Sequence, residues 1–237
     1  MQQTSEVKFA EWTTDGDLAP DGMYFLGEGE ELPESLQHIN IVLRQGGEAR
    51  AVELLALGAA RVLLADAALL DSAVIARLAQ EYGSERIGVY LPARKMGVSW
   101  VLETVSNEDF NCLTPSYGKP AWEVLLNDGS GTGTDVEWWL QEMFNLGASI
   151  ALVAMDMQDD DLNICAGLVE SYGDKLWFAP LHQPDADLEP WVRYGQVRQL
   201  LLPPLPRFDE AEMRRIAESV VVESAQELAE ETQGVTE

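Results

Sequence analysis

Short apolar runs alternate with helical segments along most of this 237-residue chain, and this alternation most constrains its fold. The run Ile39–Leu43 is rich in β-branched residues, as expected of a strand that is buried on both faces. A segment with apolar residues at helical spacing follows it and ends at Gly58, because glycine suits a helix C-terminus. Strands separated by helices in this way predict βαβ units and therefore a parallel sheet.

Three segments share one rhythm, in which an apolar helix end, a glycine and a buried strand follow one another. They read LALGAARVLLA, FNLGASIALVA and VRYGQVRQLLL, and they lie far apart in the sequence. Equivalent repeated units favour a (β/α)8 TIM-type barrel, with a flavodoxin-like open sheet as the alternative. We predict a single barrel domain over residues 1–237, with a final helix and an acidic tail at 209–237.

The N-terminal part of the predicted barrel is short of residues. A barrel of about 250 residues uses roughly 30 for each βα unit, whereas only 38 residues precede Ile39. MYFLG at 23–27 is the obvious strand there, and no helical segment separates it from a second candidate, VKFAEW at 7–12. We therefore expect an atypical segment 1–38 and a barrel that is degenerate or incomplete at its N-terminus. A hairpin or a second copy of the chain would fill the gap.

The charge of the chain excludes several classes of partner. Its 41 Asp and Glu residues stand against 15 Lys and Arg residues, which gives a formal net charge of −26 at pH 7. Such a charge repels phosphate backbones and anionic lipids, so we expect no nucleic-acid partner and no membrane partner. The two cysteines lie far apart and the N-terminus lacks a signal-peptide pattern, which predicts a reduced, cytoplasmic protein.

Two stretches of the chain carry a family resemblance. VLLADAALLDSAVIARLAQEYGSERIGVYLPARK resembles the strand-4 to strand-5 region of the cyclase subunit of imidazole glycerol phosphate synthase. WEVLLNDGSGTGTDVEWWLQEMFNLGASIALVAMD is similar to the strand-5 loop and strand 6 of the same family. The sister isomerase of histidine biosynthesis shares much of this pattern, and the resemblance covers about residues 39–215. It implies a TIM-type barrel whose catalytic face lies at the carboxyl ends of the strands.

The resemblance also implies where chemistry would take place, and this chain departs from the family there. The family closes a ring with two carboxylates, one on strand 1 and one on strand 5, that act as general acid and base. The match places Pro92 at the strand-5 position, and no counterpart of the strand-1 Asp is found. Because proline carries no titratable group, the resemblance predicts that both catalytic carboxylates are missing.

The positions that would hold the family's phosphates are changed as well. Phosphate pockets need glycine-rich turns and helix N-termini that present backbone N–H groups to the anion. Here the strand-4 pair is Ala65-Asp66, the strand-3 glycine triplet is reduced to Gly46-Gly47, and Pro-Leu-His-Gln at 180–183 replaces the turn after strand 7. After strand 6 only Asp156 of the family motif survives. These changes predict the loss of a bis-phosphate substrate.

Five residues are candidates for a site on the catalytic face. Asp156 and His182 are the catalytic candidates, although a structural role as hydrogen-bond acceptor is favoured for Asp156. Asp66, Gly46 and Gly47 are the ligand-binding candidates. The chain has two histidines and no cysteine at ligand spacing from either, so we expect no metal site and no cofactor.

Two further motifs have ordinary explanations. The stretch GSGTGT at 129–134 precedes a helix but lacks the lysine of a phosphate-binding loop, so we interpret it as a hairpin tip and helix entry. The three aspartates at 159–161 do not match an EF-hand loop and fit the start of a helix, where the helix dipole favours negative charge.

The combined pattern favours a catalytically degenerate relative of the histidine-biosynthesis barrels that acts as a binding, scaffold or regulatory protein. The expected partner is another protein or a further copy of this chain. The alternative is an enzyme of the same barrel family, a lyase or an isomerase, that uses Asp156 and His182 on a less anionic substrate. A third hypothesis is that the chain still performs the family reaction with residues supplied by a partner chain. The residues favour the absence of catalysis and leave the question open.

Overall fold

The computed structural model describes residues 6–13, 22–96, 100–106, 111–117 and 120–220 of the chain. The strands in these ranges are β1 (Lys8–Trp12), β2 (Tyr24–Gly27), β3 (Ile39–Leu43), β4 (Arg61–Leu64), β5 (Ile87–Lys95), β6 (Trp100–Ser106), β7 (Asn111–Tyr117), β8 (Trp122–Leu125), β9 (Gly131–Asp135), β10 (Ile150–Ala154), β11 (Leu176–Ala179) and β12 (Gln199–Leu202). The helices are α1 (Glu48–Ala56), α2 (Asp66–Leu70), α3 (Ala73–Tyr82), α4 (Val136–Asn145), α5 (Leu162–Tyr172), α6 (Glu189–Arg193) and α7, which covers 210–220 of the described chain. None of the helices in the described ranges has the length and apolar character that crossing a membrane requires.

Eight of these strands close into a parallel barrel, which confirms the predicted (β/α)8 TIM-type fold. The order around the barrel is β10, β11, β12, β1, β2, β3, β4 and β5, and β5 pairs with β10 to close the ring. In this closing pair Gly88 lies opposite Ile150, and Pro92 lies opposite Ala154. Because the eight strands form a ring, the flavodoxin-like open sheet is excluded.

The first position of the barrel is filled by the chain itself. β1 pairs in parallel with β12, where Ala10 lies opposite Leu201, and with β2, where Trp12 lies opposite Phe25. The expectation that a hairpin or a second copy of the chain fills this position is therefore wrong. A strand joins a sheet by pairing with the free backbone N–H and C=O groups of two neighbours. This pairing does not require a helix next to the strand in the sequence. The degenerate part of the barrel is the connection from β2 to β3, because residues 28–38 contain no helix.

Residues on the barrel strands alternate between two hydrophobic layers. The outer layer lies between strands and helices and includes Ile41, Val89 and Val153. The inner layer contains no residue from a helix and fills the barrel. Its members are Ala10, Phe25, Val42, Leu63, Ala65, Tyr90, Ile150, Leu152, Ala154, Trp177, Ala179 and Leu201. Strands buried on both faces read as continuous apolar runs, which is why β3, β4 and β10 are legible in the sequence.

Antiparallel strands extend the barrel wall beyond β5. β8 pairs with the carboxyl end of β5, where Lys95 lies opposite Trp122, and β9 pairs with β8. The glycine-rich stretch 129–134 forms the end of the β8–β9 turn and most of β9, directly before α4, so its interpretation as a hairpin tip and helix entry is confirmed. β6 and β7 pair with each other in a separate two-stranded sheet.

Phe25 provides a test of the inner layer. Its ring is fully buried, and its centre lies 6.3 Å from the centre of the Trp12 ring and 5.9 Å from that of Trp177. Phe25→Ala leaves a cavity in a closed interior, so we expect the free energy of unfolding to fall by about 3–5 kcal/mol in urea titrations. Leu70→Ala, at a side chain that is 83% exposed, should change it by less than about 0.5 kcal/mol. Equal shifts in the two variants would contradict the placement of Phe25 inside the barrel.

Candidate functional site

The carboxyl ends of the barrel strands surround a small cavity, which we call the mouth. Its volume is about 230 Å³. The lining residues are Trp12, Arg44, Tyr90, Ala154, Ala179, Pro180, Leu181, His182, Pro184, Pro203 and Pro204. Ala154 and Ala179 also belong to the inner layer, so the mouth lies directly on top of the barrel core. Rigid aromatic and proline rings form most of its wall, and few polar groups face it.

The two strands that carry catalytic carboxylates in the resembling family present none to this mouth. Pro92 is buried on β5 and lies two residues beyond Tyr90, on the same inner side of the strand. Trp12 lines the mouth from β1. The acid of β1 is Glu11, which alternates with Ala10 and Trp12 and therefore lies on the outer side of the strand. Neither β1 nor β5 thus presents a carboxylate to the mouth.

Asp156 follows β10 and ties the loop after β11 to the barrel. Its Oδ1 accepts hydrogen bonds from the backbone N–H groups of Leu181, His182 and Gln183 at 3.0, 2.8 and 3.0 Å. Its Oδ2 lies 3.0 Å from Nδ1 of His182. Hydrogen bonds to an ionised carboxylate are stronger than those between neutral groups. Asp156 therefore acts as the acceptor that fixes this loop over one side of the mouth.

His182 lies on the catalytic face, where the barrel pattern places it, and its side chain is 75% exposed. It is brought into direct contact with the other catalytic candidate, Asp156, through Nδ1. An imidazole whose Nδ1–H donates to a carboxylate carries its free lone pair on Nε2. Asp156 and His182 together are thus able to accept one proton, at Nε2 of His182, from a molecule bound in the mouth. The other histidine, His38, is exposed just before β3, at the opposite end of the barrel.

The three ligand-binding candidates lie outside the residues that line the mouth. Asp66, at the start of α2, accepts a hydrogen bond from the Asn127 N–H at 2.9 Å and so ties the β8–β9 turn to β4. Gly46 and Gly47 lead into α1, and a Cβ at Gly46 would lie 2.7 Å from a carboxylate oxygen of Glu28. Asp66 and the two glycines therefore shape neighbouring loops.

Glu28 makes a contact on this face that sequence reasoning missed. Its Oε2 accepts a hydrogen bond from the backbone N–H of Gln45 at 2.7 Å, in the loop between β3 and α1. Glu28 lies outside the part of the chain that carries the family resemblance, and nothing in its local sequence indicates a contact with Gln45. The contact between Glu28 and Gln45 arises only when β2 and β3 pair and bring the two residues together.

The aspartates at 159–161 form the turn that leads into α5, as predicted. Asp160 pairs with Lys95 from the end of β5, and the hydrogen bond from Lys95 lowers the pKa of Asp160. Asp161 is buried and accepts hydrogen bonds from Nε1 of Trp122 and from the Gln158 N–H, both at 3.0 Å. Within the described ranges, no three His, Cys, Asp or Glu side chains are grouped so that they could hold a metal ion.

Carboxylates of the chain thus occupy backbone N–H groups that a phosphate-binding barrel offers to its ligand. The loop after β11 gives three such groups to Asp156, and the loop after β3 gives one to Glu28. A phosphate would have to displace a carboxylate and would then meet its negative charge at close range. The carboxylates of Asp156 and Glu28 therefore hold the loops of this face.

Arg44 is the cation that lines the mouth, and it too was missed because no family motif contains it. It follows β3, and its guanidinium carbon lies 5.7 Å from the centre of the Tyr90 ring. No carboxylate in the described part of the chain forms an ion pair with it. Burial raises the pKa of the Tyr90 hydroxyl, and the positive charge of Arg44 offsets only part of this rise.

Comparison with known proteins finds no match, so a functional conclusion has to rest on the chemistry of the mouth. No protein-family model matches this sequence, and no curated protein matches it. The TIM-type barrel hosts many unrelated activities, so the fold alone does not identify a reaction.

The role of Asp156 as a loop anchor can be tested against Asp160 on the same face. Asp156→Ala leaves three backbone N–H groups without their acceptor, so we expect the free energy of unfolding to fall by about 1–3 kcal/mol. Asp160→Ala removes an exposed ion pair with Lys95, which solvent screens, and should cost less than Asp156→Ala does. Urea titrations of both variants measure the difference. An equal or larger loss for Asp160→Ala would show that the loop does not depend on Asp156.

Proposed function

We propose that this protein is a catalytically degenerate barrel of the histidine-biosynthesis type, which uses its mouth for binding and does not turn over a phosphorylated substrate. The observation that supports this proposal is that Trp12 on β1 and Pro92 on β5 carry no acidic group, whereas the resembling family has its acid and base on these two strands. A cytoplasmic location, and association with another protein or a further copy of the chain, belong to the same proposal.

The family chemistry needs one group that donates a proton and a second that removes one. In the resembling family these two groups stand on different strands, so that they act on different sides of the substrate. Here Asp156 and His182 contact each other directly and lie on the neighbouring segments that follow β10 and β11. They form one acid–base unit on one side of the mouth, and neither Trp12 nor Pro92 supplies the opposing group.

The anchoring role of Asp156 supports the same conclusion from the side of the substrate. Its carboxylate already holds the N–H groups of the loop after β11, and Glu28 holds that of Gln45. A substrate with two phosphates would bring strong negative charge to a face that carries these anions and few cations. Its binding would therefore be opposed at both ends.

Turnover of the phosphoribosyl substrates of the histidine-biosynthesis cyclase and isomerase tests the proposal directly. We expect no product above the level of buffer alone, because the opposing acid and base are missing. The control is Asp156→Asn, which preserves an acceptor oxygen for the loop while removing the carboxylate. Turnover by the wild-type protein that disappears in Asp156→Asn would overturn the proposal.

A second candidate function is an enzyme of the same barrel family with a changed substrate, and the contact between His182 and Asp156 favours it. A carboxylate that orients an imidazole is a common arrangement for a general base. The substrate would be neutral or weakly charged, in keeping with the anions on this face.

The two histidines make a matched pair for testing this candidate. We expect His182→Gln to abolish any lyase or isomerase turnover found in a panel of uncharged and monoanionic substrates, because it removes the only imidazole that lines the mouth. His38→Gln, at an exposed residue at the other end of the barrel, should leave that turnover unchanged. Initial rates for the two variants decide the matter, and equal rates would exclude His182 as the base.

A further inference from the structure

We infer that the mouth binds a small planar monocarboxylate, with the carboxylate group on Arg44 and the flat body of the molecule against Trp12 and the surrounding prolines. This inference rests on the proposed binding function and names the class of ligand.

The first argument is that the guanidinium of Arg44 has no acidic partner among the described residues of a very acidic chain. Acidic residues outnumber basic ones by 41 to 15. Four other arginines, Arg50, Arg77, Arg94 and Arg215, each pair with a carboxylate. In the described ranges Arg44 has no such pair, and its recorded contact is the ring of Tyr90. The positive charge of Arg44 at the wall of the mouth is therefore available to an anionic ligand.

The second argument concerns what a stacked guanidinium can still do. A guanidinium that lies over an aromatic ring keeps N–H groups that do not contact the ring. These groups match the two oxygens of a carboxylate, with which they form paired charge-assisted hydrogen bonds. Tyr90 is nearly completely buried, so the ring that Arg44 contacts has a fixed position.

The third argument separates a monocarboxylate from a phosphate. The lining residues of the mouth include one arginine and one histidine, and the backbone N–H groups of the loop after β11 are already bound to Asp156. One negative charge is matched by Arg44, whereas a phosphate dianion would carry a second charge that no other arginine or lysine of the lining matches. Desolvating a charge without a partner is costly.

The fourth argument sets the size and shape of the ligand. The cavity of about 230 Å³ is smaller than the roughly 300–1,000 Å³ of pockets that bind drug-sized molecules. It accommodates a molecule with a single ring. Its lining includes the rings of Trp12, Tyr90 and four prolines, and Ala154 and Ala179 join it to the inner layer below. Rigid flat walls favour an equally flat ring, which stacks without loss of side-chain freedom.

Benzoate is the probe for this site, and three related compounds isolate its features. Benzamide keeps the ring and removes the charge, cyclohexanecarboxylate keeps the charge and removes the planarity, and inorganic phosphate supplies a different anion. We expect benzoate to raise the melting temperature and to release heat in titration calorimetry. Benzamide and phosphate should bind at least about tenfold more weakly, because they lose the paired hydrogen bonds or the charge match. Cyclohexanecarboxylate should bind more weakly than benzoate.

Substitution of Arg44 tests the site itself. Arg44→Gln should weaken benzoate binding at least about tenfold, and Arg44→Lys, which keeps the charge without the paired N–H edge, should lie between it and the wild type. The control is Arg214→Gln, at an exposed arginine of α7 that does not line the mouth; its affinity for benzoate should stay within about twofold of the wild type. The urea midpoint of each variant shows whether it is folded. If Arg44→Gln does not fold, Arg44→Lys alone tests the site.

Two results would overturn the inference. One is a wild-type protein that binds none of the carboxylates, and the other is benzoate binding that both substitutions of Arg44 leave unchanged. The proposed function fails on a different result, namely turnover of the phosphoribosyl substrates. The two failures are therefore distinguishable.

Discussion

Closure of the parallel ring is the constraint on which the rest of this structure depends. A strand at the edge of a sheet leaves backbone N–H and C=O groups without partners, and the ring removes such edges by pairing β5 with β10 and β1 with both β12 and β2. The closed ring creates an interior that must be filled, and the inner layer fills it with one side of every barrel strand. The filling stops at Ala154 and Ala179, and the space above these small residues is the mouth.

The sequence allowed most of the barrel to be predicted, because burial on both faces leaves a trace in each strand. β3, β4 and β10 are continuous apolar runs, and the rhythm of helix, glycine and strand repeats around them. β1 left a weaker trace, since Lys8 and Glu11 interrupt it and no helix follows it in the pattern. Its place in the ring is decided by pairing with β12, at the other end of the chain, and such a contact has no local signal.

The site was only partly predictable, for a related reason. His182 and Asp156 were placed on the correct face, because both follow strands that the pattern identified. Trp12, Arg44 and Glu28 were missed, since their roles arise from contacts between loops that meet only after the ring closes. A resemblance can show which family residues are absent, and it cannot show which new residues take over the space. Here aromatic rings, prolines and one arginine have done so.

The Asp156 contact has a further consequence when it is seen as a competition. The paired strands β10 and β11 hold the carboxylate next to the loop after β11, so it faces the three N–H groups at an effective concentration of about millimolar or higher. Any free anion must exceed this concentration to take its place. The Asp156 side chain thus competes within the chain against any free anion. Its removal would free the three N–H groups for such an anion, at the cost of a loosened loop until the anion binds.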